Sequence, residues 1–197
     1  MIIGVDQNPI LLSHWKLPMR PILSDILTFS QHLMTLKGSP ELYQPAFCLY
    51  CYENKIRRHG FYYRKPDRLN HGEESANDIP IPRHQCVTCL RTFSTLPECL
   101  APARWYPWVI QQWCLWLSLK GWSVKQLHQL FPMARSTISR WVNWLSDSFT
   151  KHHQVLCTQF SAMGYYSTCP AFWCHWLDSK HFSAAMVLLN KSGLPVP

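Results

Sequence analysis

Two Cys-x-x-Cys motifs constrain this chain more than any other feature, one at Cys48 and Cys51 and the other at Cys86 and Cys89. Two such pairs can place four thiolates at the corners of a tetrahedron, which is the ligand set of a closed structural zinc site. The metal then replaces a hydrophobic core that so short a segment could not build. The sequence therefore predicts a structural Zn²⁺ bound by these four cysteines, with a redox dithiol or unrelated core cysteines as the alternatives.

Both motifs lack the glycine that commonly follows the second cysteine of a zinc knuckle, because Tyr52 and Leu90 occupy these positions. Three histidines lie between the motifs, at His59, His71 and His84, and any of them could replace a cysteine as a ligand. Since four thiolates are available, we expect all three to be partly exposed surface histidines.

Composition limits the classes of protein to consider. The 197 residues suit one ordinary domain or two small modules, and a hydrophobic content of 47% supplies a core. A formal charge of +8 makes polyanions the first partners to consider. Nine cysteines, four of them at metal-ligand spacing, favour a reducing cytosol over a secreted disulfide framework. With no signal peptide and no long apolar run, the sequence predicts a soluble cytoplasmic protein with no membrane partner.

Around the cysteines the sequence predicts a small β ribbon. Residues 55–65 form a strand or hairpin with Gly60 placed to turn or bulge. Residues 67–78 form a polar loop, residues 79–85 an edge strand because its prolines cannot donate to a central ladder, and residues 91–94 the closing strand, with Phe93 under the metal. The basic side chains expected to face solvent and contact DNA phosphates are Arg57, Arg58, Arg64 and Lys65.

Helices are predicted on both sides of the ribbon. Pro21 could begin a helix that ends at Gly38, and a second helix fits between Pro107 and Gly121 as the centre of a small bundle. Ser123 caps a short helix over 123–130, and after a break a further helix covers 135–145. The shared inner face of these last two helices is predicted to contain Val124, Leu127, Ile138, Val142 and Leu145.

Two short helices joined by a tight turn have the anatomy of a helix-turn-helix whose second helix enters the major groove. Arg and Asn can make bidentate contacts to guanine and adenine, while Ser and Thr suit phosphates or thymine methyl groups. Ala134 stands at the capping position, so a cap must come from Ser136 or be absent. A plain helical hairpin with solvated polar residues is the alternative. The candidate DNA-contacting side chains are Arg135, Ser136, Thr137, Ser139, Arg140 and Asn143.

Residues 150–197 carry several histidines and cysteines. Cys169 and Cys174 are not at knuckle spacing and lie among aromatic residues, so ordinary burial is favoured over a second metal site. An open metal site of a nuclease or hydrolase is the alternative. It would use His152, His153, Asp178 and His181.

The predicted fold is α+β and mostly helical, with a small β zinc ribbon followed by a helical bundle that contains a helix-turn-helix. The predicted divisions are an N-terminal helical appendage over 1–44, the zinc ribbon over 45–97, the helix-turn-helix bundle over 98–149, and a C-terminal segment of unassigned fold over 150–197.

This order of elements resembles the N-terminal DNA-binding half of bacterial insertion-sequence transposases and their small companion proteins. The resemblance covers residues 47–145. Its motifs are Cys48-x-x-Cys51, Ile56-Arg-Arg-His-Gly-Phe61, Arg83-His-Gln-Cys86-x-x-Cys89 with Arg91-Thr-Phe93, and Ser136-Thr-Ile-Ser-Arg-Trp141.

The resemblance implies recognition of double-stranded DNA, either the terminal DNA of a mobile element or a promoter, with zinc as a structural ion. The family's catalytic step uses a carboxylate triad that holds Mg²⁺. After the predicted helix-turn-helix the only acids are Asp147 and Asp178, too few for a triad there. We therefore expect a DNA-binding protein of transposition without its own catalysis: either a separate transposase chain supplies the catalytic part, or the chain is a truncated reading frame. A homo-oligomer is a further option. A transcription regulator and a protein-interaction module are the alternatives.

Overall fold

The computed structural model describes residues 21–64, 79–102 and 106–197. The predicted α+β class is confirmed, because seven α-helices accompany five short strands in this part of the chain. The strands are β1 (Ile22–Leu23), β2 (Ile56–Arg64), β3 (Ile79–Cys86), β4 (Thr92–Phe93) and β5 (Leu96–Pro97). The helices are α1 (Phe29–Gly38), α2 (Trp108–Leu119), α3 (Val124–Leu130), α4 (Arg135–Asp147), α5 (Phe149–Gln159), α6 (Cys169–Ser179) and α7 (Phe182–Lys191).

Strand β3 is the centre of a three-stranded antiparallel sheet in the order β2-β3-β4. The prediction of an edge strand is therefore wrong, although β3 contains Pro80 and Pro82. Strand β4 pairs only with His84 and Gln85, so the half of β3 that carries the prolines has a strand partner on one side alone. On this half of β3, a residue whose N–H points away from β2 has no strand to donate to, so a proline there removes no ladder hydrogen bond.

The N-terminal helix begins later than predicted. Residues Ile22–Leu23 form a parallel strand pair with β5, and α1 begins at Phe29. A capping box sets this start, because the Thr28 hydroxyl accepts the N–H of Gln31 and the Gln31 side chain accepts the N–H of Thr28. The apolar spacing that suggested a helix from Pro21 instead reflects the burial of Ile22 in the core beside the helices.

His32 ties α1 to the sheet. Its Nε2–H donates to the Pro80 carbonyl at 2.8 Å, so its Nδ1 is the acceptor for the Tyr43 hydroxyl. Burial lowers the pKa of His32, and the bond to Pro80 opposes this shift in part. The neutral imidazole therefore joins the N-terminal helix, the turn that follows it and the proline half of β3.

The main core lies among α2 to α7. Helix α2 contacts α3, α4, α6 and α7, as expected of the central helix of a bundle. Pro107 precedes its first residue and Gly121, with φ +96°, follows its end, as the sequence predicted. Trp141, Trp173 and Trp176 are completely buried in this core.

Glu98, which follows β5, joins the β1–β5 strand pair to the helices. Its carboxylate accepts the N–H of Asp25 at 3.1 Å and the hydroxyl of Ser183 at 2.9 Å. Its carbonyl accepts the indole N–H of Trp108 at 2.8 Å, and its own N–H donates to the carbonyl of Leu23 at 3.0 Å. One buried residue therefore connects the β1 segment, α2 and α7 directly after β5.

Candidate metal centre

The four cysteine sulfurs converge as the sequence predicted. The Sγ atoms of Cys48, Cys51, Cys86 and Cys89 all lie within 4.8 Å of one another. The Cys48–Cys89 and Cys51–Cys86 sulfurs are 3.6 and 3.5 Å apart. A tetrahedral zinc ion with Zn–S bonds of about 2.3 Å requires S–S edges of about 3.8 Å, whereas a disulfide would need about 2.05 Å. The four free thiols thus have the spacing of a tetrathiolate metal site and not of disulfides.

The two motifs adopt the same turn. In the first, the N–H of Tyr52 donates to the Cys48 carbonyl at 3.0 Å, and the Cys48 N–H donates to the Glu53 carbonyl at 2.8 Å. The equivalent bonds after Cys86 measure 3.0 and 3.1 Å. The motif sequence alone therefore fixes the backbone that points each sulfur pair inward, and the fold only has to bring two identical turns together.

Tyr52 and Leu90 adopt the left-handed backbone that glycine usually provides at this point of a knuckle, with φ values of 59° and 61°. Their side chains are 75% and 64% exposed, so packing does little to offset the strain. The left-handed conformation costs a residue with a side chain about 1 kcal/mol. The departure from the usual glycine therefore leaves the knuckle geometry intact at a local energetic cost.

We expect Leu90→Gly to leave the free energy of unfolding unchanged or to raise it by up to about 1 kcal/mol, because strain relief opposes the added entropy of the unfolded chain. Leu90→Val should lower it by about 1 kcal/mol or more, since β-branched residues tolerate positive φ poorly. Denaturant titration of the metal-loaded protein measures both values. The matched control is Val87→Gly in the same turn. The φ of Val87 is not positive, so glycine at this position should lower the free energy of unfolding. Equal destabilisation by both glycine substitutions would contradict this account.

The thiols differ in acidity because of their hydrogen bonds. The N–H of Cys89 donates to the Cys86 sulfur at 3.5 Å and is the main reason that the pKa of Cys86 is lowered to about 6. The N–H of Glu53 alone would lower the pKa of Cys51, but burial and the three neighbouring thiols raise it to about 12. The Cys86 thiolate can thus exist near neutral pH, whereas a cation among the sulfurs would favour ionisation of Cys51 beside it.

The aromatic packing beneath the sulfurs corrects one expectation. His84 is buried instead of partly exposed, because it stacks on Phe93 with ring centroids 6.4 Å apart. Burial lowers the pKa of His84, and the nearby charge of Arg58 lowers it further. Phe93 packs against Cys48 and Cys86, as predicted. His59 is exposed, His71 lies outside the described residues, and the converging group contains cysteines alone.

The predicted basic side chains of the sheet divide by exposure. Arg57 and Arg58 face solvent, and Arg57 also donates to the Gln85 side-chain oxygen at 2.7 Å. Arg64 is half-buried, and Lys65 lies outside the described residues. Two of the four side chains are therefore placed where a polyanion could reach them freely.

Helices α3 and α4 match their predicted positions. The Ser123 hydroxyl accepts the N–H of Gln126 at 3.3 Å, which completes a capping box at the start of α3. Ala134 precedes α4, and Ser136 does not cap it, so no side chain accepts the first N–H groups of this helix. The start of α4 thus has free backbone N–H groups from which a phosphate could accept hydrogen bonds.

Exposure along α4 separates an inner and an outer face. Ile138, Trp141 and Leu145 are buried at helical spacing. Trp141 was not among the predicted inner residues, although its position three residues after Ile138 on the helix could have indicated its burial. Val142, which the sequence placed inside, is half-buried. Of the predicted DNA-contacting side chains, four are exposed and two half-buried. The exposed ones are Arg135, Ser136, Arg140 and Asn143, and the half-buried ones are Thr137 and Ser139.

No second metal group exists among the described residues, where the four cysteines are the only converging set of three or more His, Cys, Asp or Glu ligands. His152 is completely buried against Trp144, with ring centroids 4.2 Å apart. Asp178 accepts the indole N–H of Trp116 at 2.6 Å and faces the Lys120 amine at 3.8 Å. The open metal site considered for a nuclease is therefore not assembled.

No family model matches the chain, and neither a curated protein nor a solved structure is significantly similar to it. Within the three described ranges, no helix has the length and apolar character needed to cross a bilayer. The likeness to insertion-sequence proteins accordingly rests on the motifs quoted above.

Proposed function

We propose that this protein binds double-stranded DNA sequence-specifically as the DNA-binding part of a transposition system. In this proposal Zn²⁺ holds the cysteine turns together, α3 and α4 act as a helix-turn-helix, and a separate chain supplies the carboxylate triad for strand transfer. The observation that carries the proposal is the outer face of α4, which is exposed, basic and polar.

Charge supports a polyanionic partner. Between positions 120 and 145 the chain has four basic residues and no acid. We call residues 45–64 and 79–97 the sheet region; it has six basic residues and one acid, Glu53. Among the described residues, Lys120 pairs with Asp178, whereas Lys125, Arg135 and Arg140 make no ion pair there. The basic residues of the sheet region are Lys55, Arg57, Arg58, Arg64, Arg83 and Arg91.

The side chains of α4 suit the two kinds of DNA contact. Arg140 and Asn143 lie three residues apart and share one exposed side of the helix, where they could form bidentate contacts with guanine and adenine. Arg135 and Ser136 lie beside the uncapped helix start, where a backbone phosphate could accept the free N–H groups. In this arrangement α4 would read bases through its middle and be positioned by phosphates at its start.

We expect Arg140→Ala to weaken binding to the preferred duplex by about 1–3 kcal/mol and to leave binding to random duplex nearly unchanged. The preferred duplex is first obtained by selection from a random library, and affinity is then measured across a salt series by gel shift. Wild-type affinity should fall steeply with salt because phosphate neutralisation releases counterions.

Two further variants sharpen this test. Arg57→Ala should weaken both duplexes alike and reduce the salt slope by about one. Lys151→Ala, which removes an exposed charge from α5, is the matched control. It should change the sequence preference less than Arg140→Ala does and the salt slope less than Arg57→Ala does. Equal losses for Arg140→Ala on specific and random duplexes, or wild-type binding that ignores salt, would refute the proposal.

A protein-interaction module is the second candidate, favoured by the exposure of Val109 and Trp113 on α2. Large exposed aromatic residues are enriched where proteins bind one another. Tight binding of a protein partner in purification, together with no affinity for any duplex, would support this function in place of the first.

A further inference from the structure

Strand β2 forms a free edge of the sheet, and a bulge changes which of its side chains share a face. Arg58 pairs with His84 and Phe61 pairs with Pro82, so β2 contains one residue more than β3 over this interval. Gly60 adopts φ +77° within the bulge. Without the extra residue, the strand alternation would place Arg58, Gly60 and Tyr62 on one face. With it, that face carries Arg58, Phe61 and Tyr63.

This aromatic row is exposed to solvent. Phe61 and Tyr63 are 43% and 66% exposed, and Arg58 is exposed with no ion pair among the described residues. The opposite face has a different environment, because Tyr62 packs against buried Ile79 and Ile81. The face of Arg58, Phe61 and Tyr63 also carries buried His84, which pairs with Arg58, but at the β2 edge it leaves two adjacent aromatic rings and a guanidinium in solvent.

We propose that the row of Arg58, Phe61 and Tyr63 binds unpaired bases of single-stranded DNA by stacking. This inference rests on the proposed DNA-binding function and adds a second class of DNA to it. Base stacking on aromatic side chains beside a basic groove is the usual means of holding single strands, and it accepts any base.

The spacing of the two rings selects unpaired bases over a duplex. Residues two apart on a strand are separated by about 6.7 Å, whereas stacked bases repeat every 3.4 Å along each strand of a duplex. Bases inside a duplex also have both faces covered by their neighbours. Two rings at strand spacing can therefore stack only on bases that have separated from one another.

Charge selects nucleic acid over an apolar protein partner. Arg57 and Arg58 precede the rings on the same strand, and Glu53 is the one acid of the sheet region. An apolar partner that covered Phe61 and Tyr63 would have to desolvate the Arg58 guanidinium on the same face without supplying a counter-charge. A phosphodiester backbone supplies a negative charge for each base that it presents.

The test compares the affinity of the metal-loaded full chain for a short oligothymidine and for its preferred duplex, measured by fluorescence anisotropy. Phe61→Leu and Tyr63→Leu should each weaken oligothymidine binding by about 5-fold or more and duplex binding by less than about 2-fold. Phe61→Trp, which keeps an aromatic ring, should retain binding. Tyr165→Leu is the matched control, because Tyr165 is 89% exposed on a different element, and it should have no effect.

The possible failures of the test are distinguishable. Duplex binding by the wild type without oligothymidine binding would overturn the single-strand inference and leave the proposed function standing. Oligothymidine binding that is equally strong in Phe61→Leu, Tyr63→Leu and Tyr165→Leu would overturn it as well. Absence of binding to both DNAs would overturn the inference and the proposed function together. Zinc content and circular dichroism verify that each variant is folded.

Discussion

Removal of the metal is expected to unfold the sheet region while α2 to α7 remain folded. The buried residues around the sulfurs are few, namely Cys48, Cys86 and Phe93, whereas the helices share a large separate core. Structural zinc contributes about 10–16 kcal/mol in small zinc-dependent peptides, far more than so small a cluster could supply by burial. After addition of a chelator, hydrogen exchange should accelerate in β2 to β4 and stay slow in α2 and α6.

The corresponding substitution is Cys86→Ser. We expect it to reduce zinc affinity by about 100-fold or more, because it removes one of four thiolate ligands, and a chromophoric chelator in competition measures the loss. Cys174→Ser on α6 is the matched control and should retain one zinc per chain. Zinc should also be released as the pH falls, because protons compete for thiolates such as that of Cys86, whose pKa is lowered to about 6. Slow exchange in β2 to β4 after metal removal would contradict a structural role for the ion.

Acidification from pH 7 to pH 5 is expected to lower the free energy of unfolding by about 2 kcal/mol through His152 alone. This imidazole is completely buried against Trp144 and Trp173, no described residue bonds its nitrogens, and burial lowers its pKa to about 4. Between about pH 6.5 and pH 4, the unfolded chain, with a histidine pKa near 6.5, binds a proton at this residue that the folded chain does not bind. The contribution of His152 to the free energy of unfolding is therefore fully present above about pH 6.5 and is lost as the pH falls toward 4.

Urea titration followed by tryptophan fluorescence at pH 7, 6 and 5 measures this slope, with chelator present throughout so that metal release does not contribute. His152→Phe keeps an aromatic ring and removes the titration, so it should flatten the curve. His153→Phe, the next residue on α5, is the control and should keep the slope. Identical slopes in the wild type and His152→Phe would show that His152 is not the group responsible. Because the sheet region is expected to be unfolded in chelator, His84 and His32, which bonds to Pro80 of that region, should add little to the slope.

The metal centre was predictable because its geometry is local. A Cys-x-x-Cys turn fixes its own backbone, so the spacing of Cys48 and Cys51 indicates where their sulfurs point without knowledge of the rest of the fold. Helices α2 to α4 were predictable for a similar reason, since Pro107, Gly121 and Ser123 set their ends through nearby hydrogen bonds.

The features that the sequence did not indicate depend on distant contacts. Strand β3 is central although it contains prolines, because β4 is only two residues long and stops before them. His84 is buried by an aromatic ring from another part of the chain, which no local pattern encodes, whereas the burial of His152 among aromatic residues agrees with the prediction. The start of α1 was an available signal that was missed, because Thr28 and Gln31 are spaced as a capping box. The exposure of Phe61 and Tyr63 depends on a one-residue bulge. Gly60 suggested where the bulge lies, but it could not indicate which residues of β2 and β3 pair on either side of it.

The bonds made by Glu98 have a mechanical consequence. Because this residue is held by the β1 segment, α2 and α7 at once, the chain directly after β5 cannot move away from the helices without breaking these three hydrogen bonds, of which the bond to Trp108 is buried. In the proposed function, this anchor would restrict how far the sheet that carries β2 can move relative to the helices, unlike two modules joined by a flexible linker. The protein itself would then limit the separation between the stretches of DNA that β2 and α4 are proposed to contact.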